Sequence, residues 1–464
     1  MRATVVAGAW GAGQMSAQFR DQGGAASSDP SWLRRTLTSL MMRRLGDPAR
    51  RDHARARFEA KRRSKGESHR VSVFFQADDP YSALAAQLWL PVLARYDITL
   101  EPHLVSSLDD ANTPEPALLG AYARRDCAQV APHYGLHFPS AAQAPIPDLV
   151  ALAEQILSVQ HGAAFIYLAA KVAAALWAGD AAGLEAMAVT HGRAMADATR
   201  ERIAAGNALR ARLGHYAGAM FHYGGEWYWG VDRLHHLERR LRALGVSRTP
   251  DAPLLAPRPE ILPAQAMGKG LTLEFYASLR SPYTAVIYDR AVQLARDSGV
   301  ALELKPVLPM VMRGVPVTVQ KGRYIFFDAA REAEDLGLAP GRPRDPIGEP
   351  VRRLYAMLPW AMSCGRGVEL LGEGLRAAFR EGVDLAGERG LRRVVEAAGL
   401  SWAEACGHRS DTTWQALFEQ NRQGLYGCGI WGVPAFRLLD AQGREMVSAW
   451  GQDRLWLVAR EMAT

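Results

Sequence analysis

The strongest constraint on this chain is that it is written twice. VSVFFQADDPYSALAAQ, from Val71, and LTLEFYASLRSPYTAV, from Leu271, each run from a short apolar strand through a Pro-Tyr turn into a helix. A second strand follows in both, ITLEPHLV from Ile98 and ALELKPVL from Ala301. Tyr122 and Asp126 then match Tyr324 and Asp328, four residues apart in each case. Near the ends, YWGVDRL (Tyr228–Leu234) matches AWGQDRL (Ala449–Leu455), each ahead of a final helix. Ordered landmarks at a period of about 200 residues indicate duplicated domains, since solenoids repeat every few tens of residues.

The repeat sets the expected layout. Residues 1–69 form a basic extension, 70–246 the first copy, 247–270 a Pro/Gly-rich linker without periodicity, and 271–464 the second copy. Within each copy the pattern reads strand, helix, strand, long helical stretch (112–212 or 318–426), two strands and a helix. A β-α-β unit completed by a β-hairpin and a helix is a thioredoxin-like arrangement. The expected fold class is therefore α/β, with two tandem thioredoxin-like domains, each a mixed sheet with an all-helical insertion.

Charge separates the extension from the body. Residues 1–70 hold 15 Lys/Arg against 6 Asp/Glu, and the remainder holds 40 against 42. Residues 1–29 are rich in Gly, Ala, Ser and Gln and are expected to be disordered. From Ser31, an N-cap candidate, Trp32, Leu33, Leu37, Leu40, Met41 and Leu45 recur at helical spacing with Arg34, Arg35, Arg43 and Arg44 between them. This helix reads either as a membrane-surface or nucleic-acid contact, or as a helix packed on the first copy with a solvated basic face, and the second is the commoner use of such a pattern. No specific nucleic-acid partner is expected of the near-neutral body. No apolar run is long enough for an integral membrane segment. Four cysteines, Cys127, Cys364, Cys406 and Cys428, make no C-x-x-C pair and no metal spacing, which argues against a dithiol or zinc centre and for a cytoplasmic location.

Three motifs give the second copy a family likeness: Ser281-Pro282-Tyr283, Gly432-Val433-Pro434 and Trp450-Gly451-x-Asp453-Arg454, with Lys321, Tyr324 and Asp328 in support. On these it resembles the DsbA-like branch of the thioredoxin superfamily, and within it the kappa-class glutathione transferases and 2-hydroxychromene-2-carboxylate isomerases. The first copy aligns along its length but is degraded at the motifs.

Ser281 opens a helix, where free N–H groups and the dipole favour an anion. Redox relatives carry C-x-x-C at the four positions that read Ser281-Pro282-Tyr283-Thr284 here, so both sulfurs are absent. The resemblance implies that Ser281 is the catalytic residue, donating to the thiolate of glutathione, the expected cofactor. A plain N-cap is the other use of such a serine, and the two uses are compatible. The resemblance further implies a cis Pro434 and glutathione contacts from Val433 and Pro434, and from Gln452 and Asp453 where the last helix opens. Lys321 is a candidate partner for the glycyl carboxylate of glutathione, a solvated lysine being the equally common use. An N-x-P-P stretch usual in these families has no counterpart: Gly314-Val315-Pro316-Val317 stands there. Met310, Met312, Trp360, Met362 and Trp431 are candidates for an apolar acceptor pocket, though such residues are more often core.

In the first copy Asp79 replaces the serine, Ala217-Gly218-Ala219 replaces Gly-Val-Pro, and Leu119 stands for Lys321. A carboxylate beside a thiolate raises the thiol pKa, so no glutathione chemistry is expected there. The expected function is a glutathione-dependent isomerase or transferase acting on a small-molecule substrate, with the two copies as an internal pseudo-dimer or the chain as a homodimer. The rivals are a DsbA-family thiol-disulfide oxidoreductase and a non-enzymatic thioredoxin-fold scaffold.

Overall fold

The computed structural model describes residues 30–107, 112–315 and 317–464; the expectation of disorder for residues 1–29, and Pro316, lie outside them. The chain forms two compact units: Ala49–Glu260, and a discontinuous one joining the residues up to Pro48 with Ile261–Thr464.

The extension begins with α1 (Trp32–Leu45), capped by Ser31, whose Oγ accepts the Arg34 N–H at 3.3 Å. Its helical character follows the pattern, but its placement corrects the expectation. It belongs to the discontinuous unit and not to Ala49–Glu260. Its inner face is Ser39 and Met42, while Trp32, Leu33, Leu37 and Leu40 are 62%, 60%, 58% and 47% exposed. The reason is polar: in a buried setting Ser39 Oγ accepts the N–H of Asp345 at 3.1 Å, and Arg43 Nε donates to the Pro343 carbonyl at 3.3 Å. Leaving that buried amide unbonded would cost about 1–3 kcal/mol.

The Ala49–Glu260 unit carries nearly all of α2 (Pro48–Ser64). Arg55 of α2 forms a two-pronged pair with Glu226 (2.5 and 2.7 Å), and Glu59 accepts from Tyr223 Oη at 2.5 Å. Then come β1 (Arg70–Gln76), α3 (Pro80–Gln87), α4 (Trp89–Arg95) and β2 (Thr99–Val105). The helical insert is α5 (Pro116–Val130), α6 (Pro147–Ser158), α7 (Gly162–Ala178), α8 (Ala181–His191) and α9 (Ala196–Leu213), and the unit ends with β3 (Met220–Tyr223), β4 (Glu226–Trp229) and α10 (Leu234–Ala243). The sheet order is β2-β1-β3-β4, with β1 parallel to β2 and the other pairs antiparallel. Phe75, Trp89 and Phe165 bring strand, helix and insert into one core.

The other unit continues with β5 (Thr272–Ala277), α11 (Pro282–Ser298) and β6 (Ala301–Pro306). Its insert is α12 (Val319–Asp335), α13 (Glu349–Ser363), α14 (Gly367–Arg376), α15 (Glu388–Ala397), α16 (Trp402–Ala405) and α17 (Thr413–Gly427), followed by β7 (Ala435–Leu439), β8 (Glu445–Trp450) and α18 (Leu455–Ala463). The order is β6-β5-β7-β8 with the same orientations. Alternation seats Phe275 and Phe436 opposite each other, rings stacked at 5.0 Å. The architecture is thus mixed α/β with two four-stranded sheets of one order.

Residues 247–270 are held by side chains although they form no helix. Glu238 accepts the N–H groups of Leu255 and Ala256, and Ser298 Oγ accepts that of Ala264. No helix of the described residues is long and apolar enough to cross a membrane.

Candidate functional site

The sequence S-P-Y places a capping serine, a proline suited to the first helical turn and an aromatic residue at the head of α11. Ser281 Oγ accepts the Thr284 N–H at 3.1 Å and donates to the Val433 carbonyl at 3.2 Å. The Val433–Pro434 peptide bond is cis, as the family likeness implied. The capping role and the position facing Val433 therefore coexist in one hydroxyl.

The loop that carries Ser281 is tied from several sides. Tyr355 Oη accepts the Leu279 N–H at 2.8 Å and donates to the Val307 carbonyl at 3.3 Å, joining α13 of the insert to the ends of β5 and β6. Arg280 makes a bidentate pair with Asp345 at 2.8 and 3.0 Å. Tyr283 Oη donates to Asp328 Oδ2 at 2.8 Å, and the other oxygen of Asp328 takes Arg331 at 2.6 Å. Gly432 permits the close approach behind this loop, since a Cβ there would lie 2.4 Å from Trp450 Cζ2. The Gly451 N–H donates to the Pro434 carbonyl at 2.9 Å and fixes the turn that leads to Asp453.

These elements enclose a cleft of about 290 Å³. Ser281 and Val433 line it with Arg280, Tyr283, Met310, Val311, Val319, Arg323, Phe326 and Ile347; Arg34, Thr38 and Met41 of α1 also form its wall. Of the residues carried over from the sequence, Pro434, Lys321, Gln452 and Asp453 are not among the lining residues. Lys321 sits in the first turn of α12, its N–H bonded to Thr318 Oγ1 at 3.1 Å, while its neighbours Gly322 and Arg323 reach the cleft. Gln452 is buried, and its amide donates to Glu332 Oε2 at 2.5 Å. Asp453 is half-buried beside Arg454, 3.8 Å away. Of the proposed acceptor-pocket residues only Met310 lines the cleft. Trp431 is buried against Trp450, with ring centroids 4.5 Å apart, and Trp360 stacks on His408. Cys428 is buried and donates to the Gly424 carbonyl at 3.2 Å, in keeping with a core residue.

The sequence reading missed the contribution of α1, the Arg280–Asp345 clamp and Arg323. Arg34 was visible as part of a basic helix. Its approach to the cleft depends on the long-range bond between Ser39 and Asp345, which local periodicity does not encode.

The matching station in the first unit is closed by its own hydrogen bonds. Asp79 accepts the N–H groups of Tyr81 and Ser82 at 3.2 and 3.1 Å and the Ser82 hydroxyl at 2.8 Å. Ser82 Oγ in turn accepts the Ala219 N–H at 2.8 Å. Loss of water around Asp79 pushes its carboxyl up to about 6 against the hydrogen bonds that hold it down. Tyr81 Oη donates to Asp126 at 2.8 Å, over the same 45-residue separation as Tyr283 and Asp328.

A family model described as a DSBA-like thioredoxin domain matches residues 272–463. These residues are a DsbA-like thioredoxin domain. No curated protein matches the chain. Among solved structures the chain is similar to a 2-hydroxychromene-2-carboxylate isomerase, at 18% identity over 41% of this chain and 94% of that one, with a TM-score of 0.35. It is also similar to a probable DsbA oxidoreductase from Streptomyces coelicolor (19% identity, 42% and 89%, TM-score 0.33). A third is the cytosolic disulfide reductase DsbM from Pseudomonas aeruginosa (21% identity, 40% and 95%, TM-score 0.32). At these identities none of them assigns an activity to the DsbA-like domain of this chain.

Proposed function

We propose that the DsbA-like domain is a glutathione-dependent isomerase or transferase, and that the chain arose by tandem duplication with the first copy losing its thiol site. The observation that carries the reading is Ser281: a hydroxyl at a helix N-terminus, facing the carbonyl before a cis-proline, where a disulfide enzyme has its first sulfur. Without a C-x-x-C pair the thiol has to come from a ligand. The fit is supported by the cleft, close to the lower end of the roughly 300–1,000 Å³ usual for ligand sites, and by Arg34 and Arg323 on its wall, suited to an anionic tripeptide.

In this mechanism Ser281 keeps the Thr284 N–H as its donor and turns its own proton from the Val433 carbonyl toward a thiolate. The hydroxyl and the N-terminus of α11 together favour the ionised thiol. Val433, released from Ser281, offers main-chain groups to a peptide backbone in the manner of an added strand. Glutathione, when bound, supplies the nucleophilic sulfur that adds to and leaves a conjugated carbon. Asp453 and Lys321 are proposed outer contacts for its amino and carboxylate ends, and Gln452 stiffens the turn through Glu332. The Tyr283–Asp328 bond holds the helix head in place, so orientation supplies much of the acceleration.

Calorimetry of the full chain with glutathione tests the reading. Wild type should bind, and Ser281→Ala should lose about tenfold or more in affinity together with the thiolate's ultraviolet absorbance. No binding, or equal binding by the variant, would sink it. Reduction of insulin by the protein would move it to the oxidoreductases.

A further inference from the structure

The helix α1 comes from the far end of the sequence, yet it borders the Ser281 cleft with Arg34, Thr38 and Met41. Its placement is coupled to the cleft. Ser39 of α1 holds the main chain of Asp345, the Asp345 carboxylate grips Arg280, and Arg280 immediately precedes Ser281.

The charges on the wall do not balance. Asp345 is the one acidic residue among the lining residues, and both its oxygens are taken by Arg280. Arg34 and Arg323 remain. Both are exposed, and among the described residues neither has a carboxylate within ion-pair distance. The nearby wall of Met41, Met310, Val319 and Phe326 is apolar. Two guanidinium groups beside an apolar cleft suit a carboxylate, which one arginine can grip with two parallel hydrogen bonds.

We infer that α1 is a wall of the ligand site and that Arg34, with Arg323 of α12, binds a carboxylate of the ligand. The inference rests on the cleft being the ligand site, as proposed above. The carboxylate belongs either to the thiol peptide or to the second, electrophilic substrate, and the chemistry at the arginines is the same.

The test uses the full chain, with circular dichroism to verify folding. Binding of glutathione, of its glycyl ethyl ester, and of benzoate against benzamide is measured for wild type, Arg34→Gln, Arg323→Gln and Arg44→Gln. Arg44 lies on α1 away from the cleft and controls for bulk charge. Arg34→Gln and Arg323→Gln should each weaken one carboxylate probe by about tenfold, and Arg44→Gln should leave it unchanged. A loss on glutathione that disappears on the ester assigns the glycyl carboxylate; one that persists assigns the γ-glutamyl carboxylate. A loss on benzoate, with benzamide unaffected, assigns the second substrate. Arginine-dependent benzoate binding without any glutathione binding would keep this inference and remove the thiol reading. The inference is overturned if neither arginine variant changes any probe, if Arg44→Gln has an equal effect, or if wild type binds no probe.

Discussion

Asp79 and Ser281 hold the same station, capping the helix after the first strand of each sheet, and their chemistry separates the two units. A serine hydroxyl can cap and still donate; a carboxylate can only accept while ionised. Asp79 stands at about 6 because it is short of water. A carboxyl raised above its unfolded value of 3.8 takes up a proton on folding. Its stabilising contribution is therefore full below the unfolded value and is lost as pH rises through about 6. Asp79→Asn should then stabilise the chain by on the order of 1 kcal/mol near pH 7 and by less near pH 4, read from denaturant midpoints. An equal effect at both pH values would refute the assignment. Asp328 poses the opposite problem. It is buried with Arg331, and Asp328→Ala leaves a guanidinium inside without that carboxylate, at a cost of roughly 3–5 kcal/mol. Tyr283→Phe, which removes only a hydrogen bond, should cost about 1 kcal/mol. The motif residues at this scale were legible because a cap, a glycine beside a tryptophan and a proline in a loop are local devices. The bond from Gln452 to Glu332 was not legible in this way, because the two residues are 120 apart in sequence.

At the scale of elements, α1 shows what periodicity conveys and what it omits. The recurrence of apolar residues and the Ser31 cap specify a helix. They point to the wrong inner face, since Leu33, Leu37 and Leu40 are exposed and Ser39 is buried. What decides the face is a polar contact with a loop 306 residues on. Ser39→Ala should leave the Asp345 N–H unsatisfied, at about 1–3 kcal/mol, and loosen α1. Hydrogen exchange would then quicken across residues 35–42 while β5 and β7 stay protected. Unchanged exchange in α1 would mean that Met42 packing and the bond from Arg43 to the Pro343 carbonyl hold it without Ser39. The strands were easier to read, because alternation fixes which residues face inward and one slip would reverse them all.

At the scale of the whole molecule, two sheets of one order sit in two compact units, each with its own aromatic core. Calorimetry should therefore resolve more than one unfolding transition. Asp328→Ala should lower one of them and Asp79→Asn raise the other. A single transition moved by both substitutions would show the units to unfold as one. Two sheets and their helical inserts were legible from the doubled landmarks. The discontinuity of the second unit was not, because a segment so far from its partners leaves no periodic trace.

That discontinuity has a consequence in time. Ribosomes deliver the chain from its N-terminus at roughly 5–20 residues per second. Between Leu45 and Thr272, where β5 starts, an entire other unit has to be made. The first helix therefore leaves the ribosome many seconds before any surface it will rest on exists. Its Ser39 waits for the main chain of Asp345, 306 residues on, and the cleft lacks part of its wall until Val433 has been made.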